Sequence, residues 1–550
     1  MSIRTLLFAA AAVPFAAGLD AQPRRAPGGP AADSVATRRL AAERKADPNP
    51  APARKEGEGP FQRLIIRGVK LIDGYGSAPR GPVDVVVEGN RVVEVASIGY
   101  PKLPIDQSKR PKGATKEIDA EGMYLMPGLI DLHVHQGTQQ KAPESEYYNK
   151  LWLAHGITTV RGVPFASFDY SVKERARSAK NEIAAPRYVV YQRPGTGWGR
   201  ERPRTPDEAR EWVRWAKANG ADGLKLGAER PDLMEALLDE AKKLGLGTTA
   251  HLQQGGVAQV NADVATRMGL EAVTHFYGLF ESMYDNHQVQ PWPLDANLQD
   301  EQVRFGQVAR QWSLVTPRGE KWNALLKKFL ERDVTLDPTM TTYLTGRDVM
   351  KRIRAPWHEK YTIPTQWDFY ISNRENHGAY FYDWTTEDEV AWRNFYRVWM
   401  MFLNDYKNMG GRVTASSDAG FIYNTPGFST IEELELLQEA GFYPGEAIRA
   451  GTYHAAVALN KATKQPIDRG VVEPGMLADL VIVPDNPFKN LKVLYGTGWF
   501  RLNDATGKVE SYGGVRWTIK DGIVYDARQL LRDIEAMGDA QRKARAAGGK

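Results

Sequence analysis

Two kinds of hydrophobic pattern divide the chain. Near both ends, in residues 63–96 and 477–526, runs of β-branched residues are broken by turn pairs such as Gly-Asn and Gly-Ser. Runs of this kind are typical of short antiparallel strands. Because the two stretches share this texture and flank a long central region, we predict one composite β-sandwich domain formed by residues 59–122 and 466–527.

In the central region, short apolar stretches alternate with amphipathic ones such as residues 205–220 and 231–245. Repeated β-α units of this type predict a parallel sheet with helical crossovers, and about eight strands fit a (β/α)8 barrel. We therefore predict an α/β protein with a (β/α)8 TIM barrel over residues 123–465. A flat doubly wound sheet is the alternative, but the number of strands and the polar residues at their C-terminal ends favour the barrel.

Residues 281–405 are dense in Trp, Tyr and Phe and too long to be ordinary loops. We predict that they form extended barrel loops and helices that cap one end of the barrel. Packing of an outer helical layer is the alternative. The C-terminal tail, residues 528–550, begins as a helix pattern and ends in polar residues typical of a frayed terminus.

The first residues have the pattern of an export signal. Arg4 precedes a short apolar core, which predicts a signal peptide over residues 1–21, with an uncleaved anchor as the alternative. Residues 22–58 are rich in Ala, Pro, Arg and Gly, which predicts a flexible linker. The leader predicts a protein exported to the periplasm or secreted, and no later segment is long and apolar enough to hold it in a membrane.

Charge and cysteine usage exclude several classes of function. The formal net charge is only +5 over 550 residues, and no basic stripe interleaved with aromatics occurs, so nucleic acid is not an expected partner. The chain has no cysteine, which excludes disulfides, a thiol nucleophile and a Cys-ligated zinc site. The expected partner is a small molecule, and a homo-oligomer is compatible with the sequence.

Two histidines in the first barrel strand are the first candidates for chemistry. His133 and His135 lie one residue apart in an apolar stretch, so their side chains share one face of the strand. Two imidazoles on one face can bind one metal ion. The pair alone is weak evidence for a metal site.

Four further residues strengthen the prediction because they lie at the ends of later barrel strands: Lys225, His251, His275 and Asp418. The C-terminal ends of barrel strands converge on one mouth, so these side chains are expected to meet His133 and His135 there. Lys225 has two interpretations. It is either a lysine that extends its amine to solvent from a strand end, or a lysine carboxylated by CO₂ that bridges two metal ions.

Four residues are candidates for substrate binding: Arg161, Arg193, Arg200 and Tyr277. The three arginines follow predicted strands, where a guanidinium would suit a substrate carboxylate, and the Tyr277 hydroxyl could hydrogen-bond a substrate. Solvation or pairing with nearby acids is the alternative for each. His287, His358 and His377 fall in the aromatic-rich stretch, where structural or surface roles are expected.

Taken together, these motifs are collinear with a known family. The stretches at residues 64–76, 126–137, 155–162, 220–226, 248–254, 272–278, 414–420 and 470–488 resemble the metal-dependent amidohydrolase superfamily. The similarity is to its imidazolonepropionase-like and prolidase-like branch, which includes dipeptidases of the Xaa-Pro or Xaa-Arg type. It covers most of the chain from about residue 61 to residue 525.

The resemblance implies a ligand set. His133, His135 and Asp418 would hold one divalent ion, His251 and His275 a second, and carboxylated Lys225 would bridge them. Zn²⁺ is the expected metal, because nitrogen and oxygen ligands suit it and it has no redox chemistry. A metal-bridging hydroxide would attack a carbonyl, and Asp418 would accept the proton and pass it to the departing amine.

The resemblance therefore implies an exported binuclear hydrolase that cleaves C–N amide bonds of small peptides or N-acyl amino acids. Three alternatives remain open. The first is a lactone or ester hydrolase on the same scaffold. The second is a mononuclear deaminase or cyclic-amidine hydrolase, which would not need Lys225. The third is a catalytically inactive binding protein, which is disfavoured because all six ligand positions are filled.

Overall fold

Eighteen strands are present in the described part of the chain, residues 46–374 and 377–548 of a computed structural model. The first five are β1 (Leu64–Leu71), β2 (Arg80–Glu88), β3 (Arg91–Ser97), β4 (Lys116–Asp119) and β5 (Tyr124–Pro127). The next eight are β6 (Leu129–Val134), β7 (Ile157–Gly162), β8 (Arg187–Gln192), β9 (Gly223–Leu226), β10 (Gly247–Ala250), β11 (Ala272–Thr274), β12 (Thr335–Asp337) and β13 (Arg412–Val413). The last five are β14 (Leu480–Val483), β15 (Trp499–Asn503), β16 (Lys508–Tyr512), β17 (Trp517–Lys520) and β18 (Ile523–Asp526).

Helices connect the strands of the second group and extend beyond them. Between β6 and β12 lie α1 (Ser145–Ala154), α2 (Phe168–Ala179), α3 (Pro206–Ala218), α4 (Pro231–Lys243), α5 (Ala262–Arg267), α6 (Glu301–Val308) and α7 (Glu320–Glu331). The remaining helices are α8 (Met340–Arg347), α9 (Val349–Ile353), α10 (His358–Tyr361), α11 (Pro364–Tyr370), α12 (Thr386–Asn408), α13 (Phe428–Glu439), α14 (Pro444–Ala450), α15 (Tyr453–Asn460) and α16 (Ala527–Gly548). None of these helices has both the length and the apolar character needed to span a bilayer.

Strands β6 to β13 form the predicted barrel. They pair in parallel and in sequential order, as right-handed β-α units require. The ring closes where Val134 at the end of β6 pairs with Ala419 beyond β13. At the same point the Asp418 backbone N–H donates to the His133 carbonyl at 2.8 Å. The (β/α)8 barrel expected from the alternating pattern is therefore confirmed.

Strands from the two ends of the chain form one additional sheet. Its order is β18-β17-β14-β5-β1-β2-β3, with β4 paired to β1, and the two chain ends join where β14 runs antiparallel to β5. Alternate residues of these strands, among them Ile66, Val85 and Ile482, fill an apolar core separate from the barrel. This composite sheet leads directly into the barrel, because only Gly128 separates β5 from β6.

The described part of the predicted linker packs on the folded unit instead of standing free. Asn49 N–H donates to the Pro143 carbonyl at 2.7 Å, and Arg54 N–H donates to the Glu182 carbonyl at 2.8 Å. Glu58 pairs with Val524 of the composite sheet. A stretch poor in apolar side chains can be ordered in this way because the barrel supplies partners for its backbone. The predicted signal peptide, residues 1–21, and residues 22–45 lie outside the described residues.

The aromatic-rich stretch is not a single insertion, because strand β12 lies within it. Its longest helix, α12, buries Trp392, Phe395 and Trp399 completely. Trp392 stacks on Tyr343 with ring centroids 5.5 Å apart, and Phe276 packs edge-on against Phe395 at 4.9 Å. These rings belong to the outer packing layer, whereas residues before α12 approach the barrel mouth. The C-terminal tail is helical through Gly548 and packs Leu530 and Ile534 inward.

Tyr191 occupies the barrel interior because two neighbouring strands have no side chain there. A Cβ at Gly247 would lie 1.8 Å from the Tyr191 hydroxyl oxygen, and one at Gly223 would lie 2.4 Å from its ring. Both positions therefore require glycine, because the Tyr191 side chain approaches their backbone closely.

We predict that Gly247→Ala lowers the free energy of unfolding by about 1–3 kcal/mol, because the added methyl group overpacks the barrel interior. The measurement is equilibrium denaturation of the purified protein. Gly255→Ala is the matched control, since a Cβ there meets nothing within 4 Å. Equal stability of the two variants would contradict this account of the barrel interior.

Candidate metal centre

Two imidazoles and one carboxylate meet at the junction of the first and last barrel strands. The His133 and His135 Nε2 atoms lie 3.5 Å and 3.3 Å from Asp418 Oδ1. One donor atom from each of the three residues falls within 4.8 Å of the others. Nitrogen and oxygen donors at this spacing are the set that Zn²⁺ and similar divalent ions take.

The other three predicted residues lie beside this group. Lys225, in β9, places Nζ 3.3 Å from His133 Nε2. His275 follows β11 and places Nε2 3.7 Å from Asp418 Oδ2. The His251 ring lies 4.8 Å from the His275 ring, measured between centroids. The structure thus brings all six side chains to the C-terminal ends of the barrel strands, where active sites of this architecture lie.

Hydrogen bonds fix which nitrogen each ring presents. His135 Nδ1 donates to the Pro164 carbonyl at 2.9 Å. His275 Nδ1 pairs with the Thr339 hydroxyl, which itself donates to the Pro338 carbonyl at 2.7 Å, so the ring nitrogen carries the hydrogen. In both rings the Nε2 lone pair therefore faces Asp418. Orientation of a ligating imidazole through its other nitrogen is usual at metal sites.

Burial sets the charges of the cluster. It lowers the pKa of His275 to about 3, and burial together with nearby cations lowers the pKa values of His133 and His251. Burial also holds the pKa of the Lys225 amine well below its usual range. For Asp418, burial raises the pKa, but the hydrogen bond with His135 and the electrostatic influence of the neighbouring imidazoles and Lys225 outweigh it, so the net pKa is lowered. Neutral imidazoles beside an ionised carboxylate are the protonation states that a metal ion requires, so these residues fit such an ion.

Two of the six residues hold uncommon backbone conformations. His275 has φ 63° and Asp418 has φ 49°, in the left-handed region. Such conformations cost free energy in residues other than glycine and concentrate at functional sites. His275 follows directly after β11, whereas Asp418 lies five residues beyond the end of β13.

Arg161 lies below the cluster, inside the barrel. Its Nε donates to the Leu132 carbonyl at 2.6 Å, and its second nitrogen donates to Asp337 at 3.1 Å. Asp337 also accepts from Thr414 at 2.9 Å and from Ser416. Because this guanidinium is buried and paired, the structure does not place it where the sequence analysis expected a substrate contact. It supports the floor of the site.

The other three predicted substrate residues have different surroundings. Arg200 is exposed and pairs with Glu211 at 2.8 Å. Tyr277 is buried, stacks on His251 at 4.2 Å and bonds its hydroxyl to Tyr343 at 2.8 Å. Arg193 is exposed, yet its charge contributes to the low pKa values of Lys225 and His251, which places it near the mouth. Among these, Arg193 is the exposed residue whose charge acts on the clustered side chains, and its role in substrate binding stays a prediction.

Sequence reasoning missed Lys141. This buried lysine follows a tight turn at Gly137, where a Cβ would lie 1.9 Å from the Ala142 carbonyl oxygen. Its Nζ lies 3.8 Å from the centre of the Phe421 ring and 5.4 Å from that of Phe369. Burial lowers the pKa of this amine to about 7. The loop has no periodic pattern, so the sequence offered no signal for it.

His377 has the surface position expected of it, paired with Glu301, and the structure also places it near the mouth. Its ring lies 5.4 Å from Phe421, which in turn lies 5.4 Å from His135. Its charge contributes to the low pKa of His251. The loop preceding α12 brings it there, and the course of that loop follows no periodic pattern of the sequence.

Comparison with known proteins gives short sequence matches. No protein-family profile matches the chain. An adenine deaminase of Nitratidesulfovibrio vulgaris is 39% identical over 94 residues, which is 16% of this chain and 16% of that protein. Because the match spans so little of the curated relative, it indicates a shared segment and does not transfer an activity.

Solved structures match over nearly the whole chain. The bottromycin amidohydrolase superposes with a TM-score of 0.58 at 19% identity, covering 93% of this chain and 94% of that one. The chain has the amidohydrolase fold. A Xaa-Pro dipeptidase with bound methionine in its active site gives a TM-score of 0.54 at 17% identity, covering 84% of this chain and 100% of that one. The resemblance seen in the sequence is thereby confirmed for the amidohydrolase fold.

We predict that Arg161→Met destabilises this amidohydrolase fold by about 3–5 kcal/mol, because the buried Asp337 carboxylate loses its charged partner. Arg200→Met, which breaks an exposed ion pair, should cost less than about 1 kcal/mol. Chemical denaturation of both variants measures the difference. A loss for Arg161→Met as small as that for Arg200→Met would show that Arg161 is not part of the barrel floor.

Proposed function

We propose that this protein is a metal-dependent hydrolase that cleaves C–N amide bonds of small peptides or N-acyl amino acids. The observation that carries the proposal is the convergence of four imidazoles, Lys225 and Asp418 at the barrel mouth, with two of the rings held in the ligating tautomer. The solved Xaa-Pro dipeptidase and bottromycin amidohydrolase, which share the fold, support this class of reaction.

In this proposal the six residues hold two divalent ions, with Zn²⁺ the expected metal. His133, His135 and Asp418 would hold one ion, and His251 and His275 the other. Lys225 would react with CO₂, losing one proton and forming a carbamate that contacts both. Its lowered amine pKa supports this step, because only the neutral amine attacks CO₂. When bound, such ions lower the pKa of a coordinated water and polarise a carbonyl.

The chain's own residues would supply proton transfer and orientation. Asp418 is ionised and faces three imidazoles, so it can accept the proton of the attacking water. Arg193 is exposed near the mouth and would bind the substrate carboxylate. Arg161 and Asp337 would keep the floor rigid beneath the reacting groups.

The deciding experiment counts metal and tests turnover together. The purified protein would be loaded with zinc in bicarbonate buffer, its metal content measured, and dipeptides and N-acyl amino acids compared with lactones and adenine. Two metal ions per chain, a mass increase of about 44 Da per chain measured on the intact protein under non-denaturing conditions, as expected for added CO₂, and amide hydrolysis would support the proposal. One metal ion, unmodified Lys225 and release of ammonia from adenine would instead support a deaminase, the activity of the adenine deaminase that shares a short segment with this chain.

We predict that Asp418→Asn reduces kcat at least about 100-fold, because the group that accepts the proton is lost. Asparagine tolerates the left-handed backbone of this position, so the melting temperature should change little. Steady-state kinetics and thermal unfolding measure the two effects. Near-native turnover by this variant would contradict the proposed proton transfer.

We predict that Arg193→Met raises KM about 10-fold to 100-fold for substrates with a free carboxylate, because one charge-assisted hydrogen bond is lost. The same variant should leave the KM of carboxamide-capped substrates unchanged. Arg214→Met, at an exposed arginine of α3, is the matched control. A similar rise of KM for both substrate types would exclude carboxylate recognition by Arg193.

We further propose that the protein is exported, in the periplasm or outside the cell. The support is the arrangement of Arg4 before a short apolar core in residues 1–21. Cell fractionation with an antibody against the folded part would test this. The oligomeric state remains a prediction from the sequence.

A further inference from the structure

A histidine and a glutamate form a pair near the barrel mouth, apart from the six clustered residues. His377 Nδ1 bonds with Glu301 Oε1 at the start of α6. Glu301 is fixed in turn by the Gly378 N–H at 2.7 Å and by Arg304 at 3.0 Å. The His377 side chain is 68% exposed, whereas that of Glu301 is only 17% exposed. A carboxylate bonded to one ring nitrogen orients the ring and leaves its other nitrogen free.

Further hydrogen bonds, beside the one between His377 and Glu301, hold this pair in place. Three consecutive residues at the start of α6 fasten the segment that carries His377. Asp300 bonds Arg374 at 2.9 Å and the Tyr382 hydroxyl at 2.8 Å. Gln302 accepts from the Asp383 N–H at 2.9 Å. With Glu301 between them, these bonds fix the position of His377 relative to the barrel.

The position of the pair relates it to the site. The His377 ring packs against Phe421, whose edge faces His135, one of the six clustered residues. The charge of His377 also acts on His251, on the other side of the cluster. His377 therefore lies at the edge of the mouth, one aromatic ring beyond His135, and it is open to solvent.

Amide hydrolysis needs two proton transfers, one from the attacking water and one to the departing amine, and a group separate from Asp418 can supply the second. Asp418 takes a proton when water attacks, but the departing amine is a poor leaving group until its nitrogen is protonated. We propose that His377, oriented by Glu301, donates this proton. The inference rests on the proposed amide hydrolysis and names a further catalytic residue for it.

The proton balance of the step is complete. The C–N bond breaks, its electron pair stays on nitrogen, and that nitrogen takes the proton from His377 Nε2. The imidazolium becomes a neutral imidazole whose Nδ1–H is still donated to Glu301. His377 is exposed, so it regains a proton from solvent, and Asp418 returns its own proton to solvent after product release. Glu301 is a positioning residue in this scheme.

The test compares two substrates with the same acyl group, an alkylamide and a 4-nitrophenyl ester. The nitrophenolate leaves without a proton, whereas the alkylamine does not. In the zinc-loaded enzyme, His377→Gln should lower kcat/KM for the amide about 100-fold or more and change that for the ester less than about 3-fold. Glu301→Gln should give the same selective loss to a smaller degree. Metal content and melting temperature should stay at wild-type values.

Two control variants sharpen the test. His287→Gln changes another exposed histidine of the aromatic-rich stretch and should leave both substrates unaffected. Lys141→Met removes the buried amine at Phe421, the other basic group there. A selective loss with the amide in Lys141→Met and not in His377→Gln would overturn the proposal.

Two further outcomes would also overturn it. Equal losses on amide and ester, or no loss on either, in His377→Gln would mean that the leaving amine takes its proton from Asp418 or from water. Absence of turnover of both substrates by the wild-type protein would contradict the proposed function itself, and with it any role of His377 in that reaction.

Discussion

One residue couples the closure of the barrel to the geometry of the site. The Asp418 backbone bonds the last strand segment to the first at His133, while its carboxylate faces His133, His135 and His275. The left-handed backbone at Asp418 turns the chain so that both contacts are made at once. The distances within the cluster are therefore set by the barrel itself and not by flexible loops. Catalytic groups held in place in this way lower the barrier of a reaction more than mobile ones do.

Much of this arrangement could be predicted from the sequence because it follows from strand geometry. The period of two in β6 puts His133 and His135 on one face, and the parallel order of the strands brings Lys225, His251 and His275 to the same end. The sequence does not reveal how deep in the barrel each of these side chains lies. Arg161 follows the same rule of position, but its direct bond to the buried Asp337 holds it inside the barrel. A side chain at a strand end can point to solvent or into the barrel. Which of the two it does depends on partner residues that are distant in the sequence and become neighbours only in the folded protein.

The positions of residues in loops and linkers could not be predicted from the sequence, for a different physical reason. Lys141 and His377 reach the mouth through irregular segments whose course depends on single contacts, such as the close approach at Gly137 and the bonds of Glu301. No periodic pattern encodes such contacts. The segment before β1 was similarly misleading. Its composition is that of a free linker, yet between Asn49 and Glu58 its backbone groups bond to the barrel and the composite sheet.

The composite sheet imposes an order on assembly. Strand β5 leads into the barrel after a single residue, but its partner β14 is separated from it by the whole barrel sequence. During synthesis, the first strands of the sheet leave the ribosome with an open edge at β5 that stays unpaired until β14 has been synthesised. An exposed edge of this kind invites pairing with other chains. The composite sheet is thus begun before the barrel and completed after it. Until then, protection of the β5 edge depends on either rapid barrel formation or a chaperone.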